Sequence, residues 1–177
     1  NLVSNAGVIA ADVTGVGTAR SYIGACSFGD NDAKEGIFRG GLSGGAPMST
    51  VGMTNLVSNA GVVATDVTAV GTTRYSQAGC EYGDDKGIFG FGTTGTGAEA
   101  ITNLVSNTGV VATDTTGVGT ARAVLAATQY GEDKGIFGFG NTSGNTTNLV
   151  SNTGVVASDQ AATTGTERFG LGACSFN

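Results

Sequence analysis

The sequence predicts an all-β protein assembled from repeated units of about 48 residues. Three observations carry that expectation. The segment N-L-V-S-N occurs four times, beginning at Asn1, Asn55, Asn103 and Asn148. The stretches between Gly, Asn and Asp punctuation are short and rich in Val, Ile, Phe, Tyr and Thr, the residues that suit a pleated, half-buried surface. No stretch keeps a helical period beyond two turns.

Each unit follows one order. A G-T-x-R motif ends at Arg20, Arg74, Arg122 and Arg168, with spacings of 54, 48 and 46 residues. A short apolar strand follows, carrying Cys26 and Phe28, Cys80 and Tyr82, Thr128 and Tyr130, or Cys174 and Phe176. An acidic glycine turn then leads to K-G-I-F-G-F-G at 86–92 and 134–140, and in looser form to Lys34 and the residues up to Gly40. Strand alternation predicts Phe89 and Phe91 on one face, with Ile88 and Gly90 on the other. Both faces are then apolar or small, so this strand should be covered on both sides. The extra length of the first unit falls in 40–54, a Gly/Ser-rich stretch predicted to be a long loop. The unit closes on N-L-V-S-N and G-V-(V/I)-A-x-D, ending at Asp12, Asp66, Asp114 and Asp159.

Three to four short strands per unit is the arithmetic of a β-propeller blade, with a β-solenoid as the alternative. Counted from arginine to arginine, residues 1–177 form a single repeat domain with units 20–73, 74–121 and 122–167. A composite fourth unit would join 168–177 to 1–19, but nothing in it supplies the D-K-G-I-F strand. With Asn1 falling in mid-unit, the chain reads as a window onto a longer array.

Composition narrows the function classes. The chain has 32 glycines in 177 residues but one proline, Pro47, so it is neither collagen-like nor a Pro/Gly linker. At 40% hydrophobic it is too apolar for disorder, and no apolar run approaches the ~18 residues of a membrane span. A formal charge of -6 disfavours nucleic acid or anionic lipid as partner. Histidine and tryptophan are absent, which removes the commonest acid/base residue and the strongest stacking platform.

Candidate sites divide into those locked to the repeat and those outside it. Cys26, Cys80 and Cys174 share one repeat position and read as small core residues. One arginine and one aspartate recur with the repeat, four of each along the chain, the pattern of a structural tie through the arginine fork. Almost every acid recurs in this way, so a singular carboxylate pair for catalysis is not found and the chain reads as non-enzymatic. Arg39 stands outside the pattern, taking the place of Gly90 and Gly138. Asp30 and Asp32 in the first acidic turn have the oxygen-rich spacing of a Ca2+ loop, although an Asx turn needs the same residues. Asn141 and Asn145 head sequons in a loop that differs between units. Loops 40–54, 93–101 and 141–147 are therefore the expected recognition elements, with Tyr22, Tyr75, Tyr82 and Tyr130 as weak stacking surfaces.

The order of arginine, small strand, Gly-Asp turn, I-F-G-F-G and polar loop resembles the kelch repeat, most fully between Arg122 and Arg168. It departs from that family in lacking the later tryptophan and in having a double glycine only at Gly40 and Gly41. The wording N-L-V-S-N-T-G-V-V-A-T-D-T-T-G-V-G-T-A-R and D-K-G-I-F-G-F-G resembles kelch-like arrays in virion proteins of marine bacteriophages. That resemblance implies a virion or extracellular setting and a tail or fibre module that contacts host-surface glycan or protein. Its partners would be other copies or other virion proteins. The alternatives are an architectural filament or capsid decoration and an extracellular lectin. It implies no cofactor, with Ca2+ only at Asp30 and Asp32.

Overall fold

A computed structural model describes residues 1–142, 145–160 and 165–176. Among these the protein is all-β: ten strands in three antiparallel sheets, with one 3-10 turn at Asn31–Ala33 and no α-helix. The first sheet holds β1 (Arg20–Ser21), β2 (Gly24–Phe28), β3 (Glu35–Ser43) and β4 (Ser49–Val57). The second holds β5 (Ala78–Tyr82), β6 (Lys86–Gly90) and β7 (Thr102–Val105). The third holds β8 (Ala126–Tyr130), β9 (Lys134–Gly138) and β10 (Thr147–Val150). In each, the I-F strand is central, flanked by the Cys or Thr strand and the N-L-V strand.

The sheets pack face to face in chain order, β2 against β5 and β5 against β8. Two apolar clusters fill the interfaces. Phe28, Ile37, Phe89 and Val105 lie between the first and second sheets, while Cys80, Tyr82, Ile88, Phe137 and Val150 lie between the second and third. The middle sheet is therefore covered on both faces, as its two-sided apolar pattern predicts. Backbone bonds run from unit to unit as well: Ser76 N donates to Tyr22 O, Val124 N to Ser76 O, and Gly170 N to Val124 O.

Close sheet approach explains one repeated glycine. A Cβ at Gly87 would lie 2.6 Å from Cys26 Sγ, and one at Gly135 would lie 2.7 Å from Cys80 Sγ. Each thiol occupies the space that the next unit's glycine leaves free.

Three expectations change. Phe91 does not share a face with Phe89. Its φ of 61° turns the chain at the strand end, and its ring meets Phe137 edge-on at 5.2 Å, in the opposite interface from Phe89. The stretch 40–54 is not a loop. Pairs Gly41 with Val51, Leu42 with Thr50 and Ser43 with Ser49 extend the β3–β4 hairpin through it, leaving a turn only at 44–48. The register also sets Glu35 opposite Phe28, as Lys86 is set opposite Tyr82, so Glu35 and not Lys34 holds the Lys86 position. Lys34 instead reaches Glu81 of the next unit.

Residues 1–19 and 168–176 sit on different parts of the molecule. Thr18 and Arg20 bond to Asp66, whereas Arg168 and Gly170 bond to Gly140 and Val124. Among the described residues no hydrogen bond joins the two segments.

Candidate functional site

The recurring charges form the most regular constellation. Asn55 Nδ2 donates to Asp66 Oδ1 at 2.8 Å, and Thr18 donates to Asp66 Oδ2 through both its backbone N and Oγ1. Arg20 reaches both Asn55 and Asp66. Arg74, Asn103, Asp114 and Thr72 repeat this arrangement, as do Arg122, Asn148, Asp159 and Thr120. Each tie fastens the entry of a unit's first strand to that unit's closing hairpin. The donors from Asn55 and Thr18 hold the Asp66 carboxyl below the usual carboxylate range. Burial opposes the same effect at Asp114, but Thr72, Asn103 and Arg74 still leave it lowered. These carboxylates anchor the ties through the donors they accept.

Arg39 breaks the pattern where the register sets it opposite Gly24. It is fully buried, donating to Gln77 Oε1 and Val70 O, each at 2.8 Å, while Gln77 Nε2 donates back to Arg39 O. Arg74 is fully buried beside it and reaches the same Gln77 oxygen at 3.5 Å. Burial first, then the Arg39 charge, pushes the Arg74 guanidinium down to about 10, against the pull of Asp114 and Glu99. Among the described residues Arg39 Nε and Arg74 Nε and Nη1 find no hydrogen-bond partner, although Arg74 Nη1 lies 3.7 Å from Asp114 Oδ1. The neighbouring units solve this place differently: Arg122 lies 4.1 Å over the Phe91 ring, and Arg168 lies 4.0 Å over Phe139. The first unit has Gly40 where the others have Phe91 and Phe139, and the Arg39 side chain enters the same interior. Arg39 is thus a packing residue of one irregular interface.

The other candidates are dispersed. Asp30 and Asp32 are exposed at the 3-10 turn, and no group of three or more Cys, Asp or Glu that could hold a metal occurs among the described residues. Asn141 ties its loop to the start of the same unit, its Oδ1 accepting from Ala123 N at 2.7 Å and its own N donating to Ala123 O. Asn145 is half-buried in a turn, and Ser143 and Gly144 between them lie outside the described residues. Burial pushes the Cys80 thiol up to about 12 and the Cys26 thiol well above its usual value. Cys174 is exposed.

Of the tyrosines, Tyr82 is buried in an inter-sheet core and Tyr130 half-buried. Tyr22 is 62% exposed and meets Tyr75 edge-on at 6.3 Å. Tyr75 pairs with Thr93 by two backbone bonds, which sets the 93–98 hairpin beside it. Thr50 Oγ1 donates to Thr94 O at 3.2 Å, drawing in the hairpin of the first unit. The exposed Tyr22 ring, the half-buried Tyr75 ring and the half-buried Thr50, Thr93 and Thr94 therefore lie together in one region of the surface. The sequence signal for it was position: Tyr22 corresponds to Ser76 and Val124, so the pair does not recur with the repeat. No protein-family model matches the chain, and no curated protein matches it.

Proposed function

We propose that this chain is a non-enzymatic structural and adhesive module, built from kelch-like propeller blades and carried on a phage tail or fibre. Its single meander sheet per unit and the face-to-face packing of successive sheets support the blade reading. One observation carries the adhesive part: the exposed Tyr22 ring set edge-on against the half-buried Tyr75 ring, flanked by Thr50 and Thr94. Aromatic faces stack on the apolar side of a sugar ring, and neighbouring hydroxyls meet its polar groups. The ligand class is accordingly a host-surface glycan, in a virion or extracellular setting. The engagement of Asp66, Asp114 and Asp159 by asparagine and threonine donors supports a structural role for the recurring carboxylates.

A glycan array with the wild-type chain tests this, with Tyr22→Ala and Tyr75→Ala as controls of unchanged circular dichroism. Retained glycans in the wild type, lost in both variants, support the reading. An array with no binding removes the adhesive function, and release of reducing ends from a polysaccharide removes the non-enzymatic one.

A further inference from the structure

We propose that Arg39 and Arg74, buried where the first unit meets the second, bind a small monovalent anion of the chloride type. The repeat itself supplies the comparison. Two of the recurring arginines rest on an aromatic ring of the preceding unit, Arg122 at 4.1 Å over Phe91 and Arg168 at 4.0 Å over Phe139. The negative face of the ring then offsets part of the guanidinium charge. Arg74 has the same repeat position, but Gly40 stands where the ring belongs. What lies beside Arg74 is the guanidinium of Arg39, which approaches the same Gln77 oxygen. A negative ring face has thus been exchanged for a second positive charge.

The surrounding side chains do not cancel that charge. Both arginines are fully buried. Among the described residues the one carboxylate within ion-pair distance of either is Asp114, with Oδ1 3.7 Å from Arg74 Nη1. That carboxylate is shared, since it also accepts from Thr72 and Asn103. Arg39 donates only to neutral oxygens, Gln77 Oε1 and Val70 O. Burial lowers the Arg39 guanidinium from its ordinary value, and the charge opposing that fall is again Asp114. Two buried cations that share one carboxylate leave a positive excess, which is costly in an interior unless an opposite charge joins it.

The chemistry of the unsatisfied atoms selects the ligand. Arg39 Nε and Arg74 Nε are buried N–H donors without a hydrogen-bond partner among the described residues, and a guanidinium has no acceptor to offer. In the third unit the matching atom is satisfied, as Arg122 Nε donates to Phe139 O at 2.8 Å. Gln77 cannot serve both, because its Oε1 is already taken and its Nε2 donates to Arg39 O. A water molecule would accept these bonds, yet it brings two hydrogens of its own and leaves the charge excess in place. A halide accepts from every side and supplies the missing negative charge. The carboxylate or phosphate of a larger ligand would need an open path, and both arginines are fully buried. The inference holds whether or not the tyrosine region above binds glycan.

The test is thermal unfolding at fixed ionic strength, with sodium chloride replacing sodium gluconate in steps. The wild type should melt higher as chloride rises, its unfolding constant falling about tenfold for each tenfold increase in chloride above the Kd. Arg39→Met, folded by circular dichroism, should lose this response. Arg122→Met should keep it, because that variant alters an interface in which an aromatic ring holds the corresponding place. Bromide soaked into wild-type crystals gives a second measurement that needs no variant to fold. Its anomalous peak should lie within hydrogen-bond reach of Arg39 Nε or Arg74 Nε. A wild type indifferent to chloride overturns the proposal, and so does a response that survives in Arg39→Met or disappears in both variants. Bromide found only on the surface overturns it as well.

Discussion

The first and second sheets carry the same strand motif, yet one face of the first is open where the second is closed. Phe38 and Phe89 hold equivalent places on the central strand; Phe38 is half-buried and Phe89 is fully buried. Gly36 and Gly87 make the same comparison one step earlier. A methyl group at Gly36 would meet nothing closer than Val57 Cβ at 3.5 Å, whereas at Gly87 it would strike Cys26 Sγ. Identical residues thus have different consequences according to whether a preceding unit stacks on them. In this protein the repeat motif encodes the interface, and the neighbour decides whether the motif stabilises anything.

The sharpest way to break that comparison is to truncate both aromatic rings. Phe89→Ala should lose about 3–5 kcal/mol in chemical denaturation, because it leaves a cavity between two packed sheets. Phe38→Ala should lose well under half of that. Equal losses would mean that burial by the neighbour is not what holds Phe89.

A smaller difference is expected between arginines. Arg122→Met removes bonds to Asn148 and Phe139 O and the contact with Phe91, and should cost on the order of 2 kcal/mol. Arg39→Met removes one of two adjacent buried guanidinium groups that share a glutamine oxygen, and its aliphatic replacement should change stability by less than about 1 kcal/mol. A loss at Arg39 equal to that at Arg122 would show the first unit's substitute arrangement to be as strong as the cation–π one.

The smallest effect is the response to acid. Asp66, Asp114 and Asp159 have folded-state values below their unfolded ones, so they stabilise fully above the unfolded value of about 3.9. That contribution disappears as pH falls through the lowered folded values. Melting temperature should therefore show no loss from these groups at neutral pH and decline below about pH 4. Asp66→Asn should flatten part of the decline.

Much of this arrangement was legible in the sequence because the repeat writes it four times. The strand positions of Cys26, Cys80 and Thr128, the two-sided cover of Ile88 and Phe89, and the pairing of recurring arginines with recurring aspartates all follow from residue type and spacing. What was not legible depended on backbone twist and register. The positive φ at Phe91 reverses its side, and alternation has no means of expressing that. A glycine-rich composition concealed the β3–β4 extension, since Gly41 and Gly52 serve a close-packed hairpin as readily as a loop. Arg39 was marked as an exception by sequence, but its partner Gln77 lies 38 residues away and carried no signal. The Tyr22–Tyr75 patch likewise needed the fold to bring two units' entry segments together.

The most direct test of the central claim is the difference in folding stability between Gly87→Ala and Gly36→Ala. Overpacking against Cys26 should cost Gly87→Ala about 1–3 kcal/mol, while Gly36→Ala should stay within about 0.5 kcal/mol of the wild type at concentrations where the chain is monomeric. Equal losses at the two glycines would contradict it.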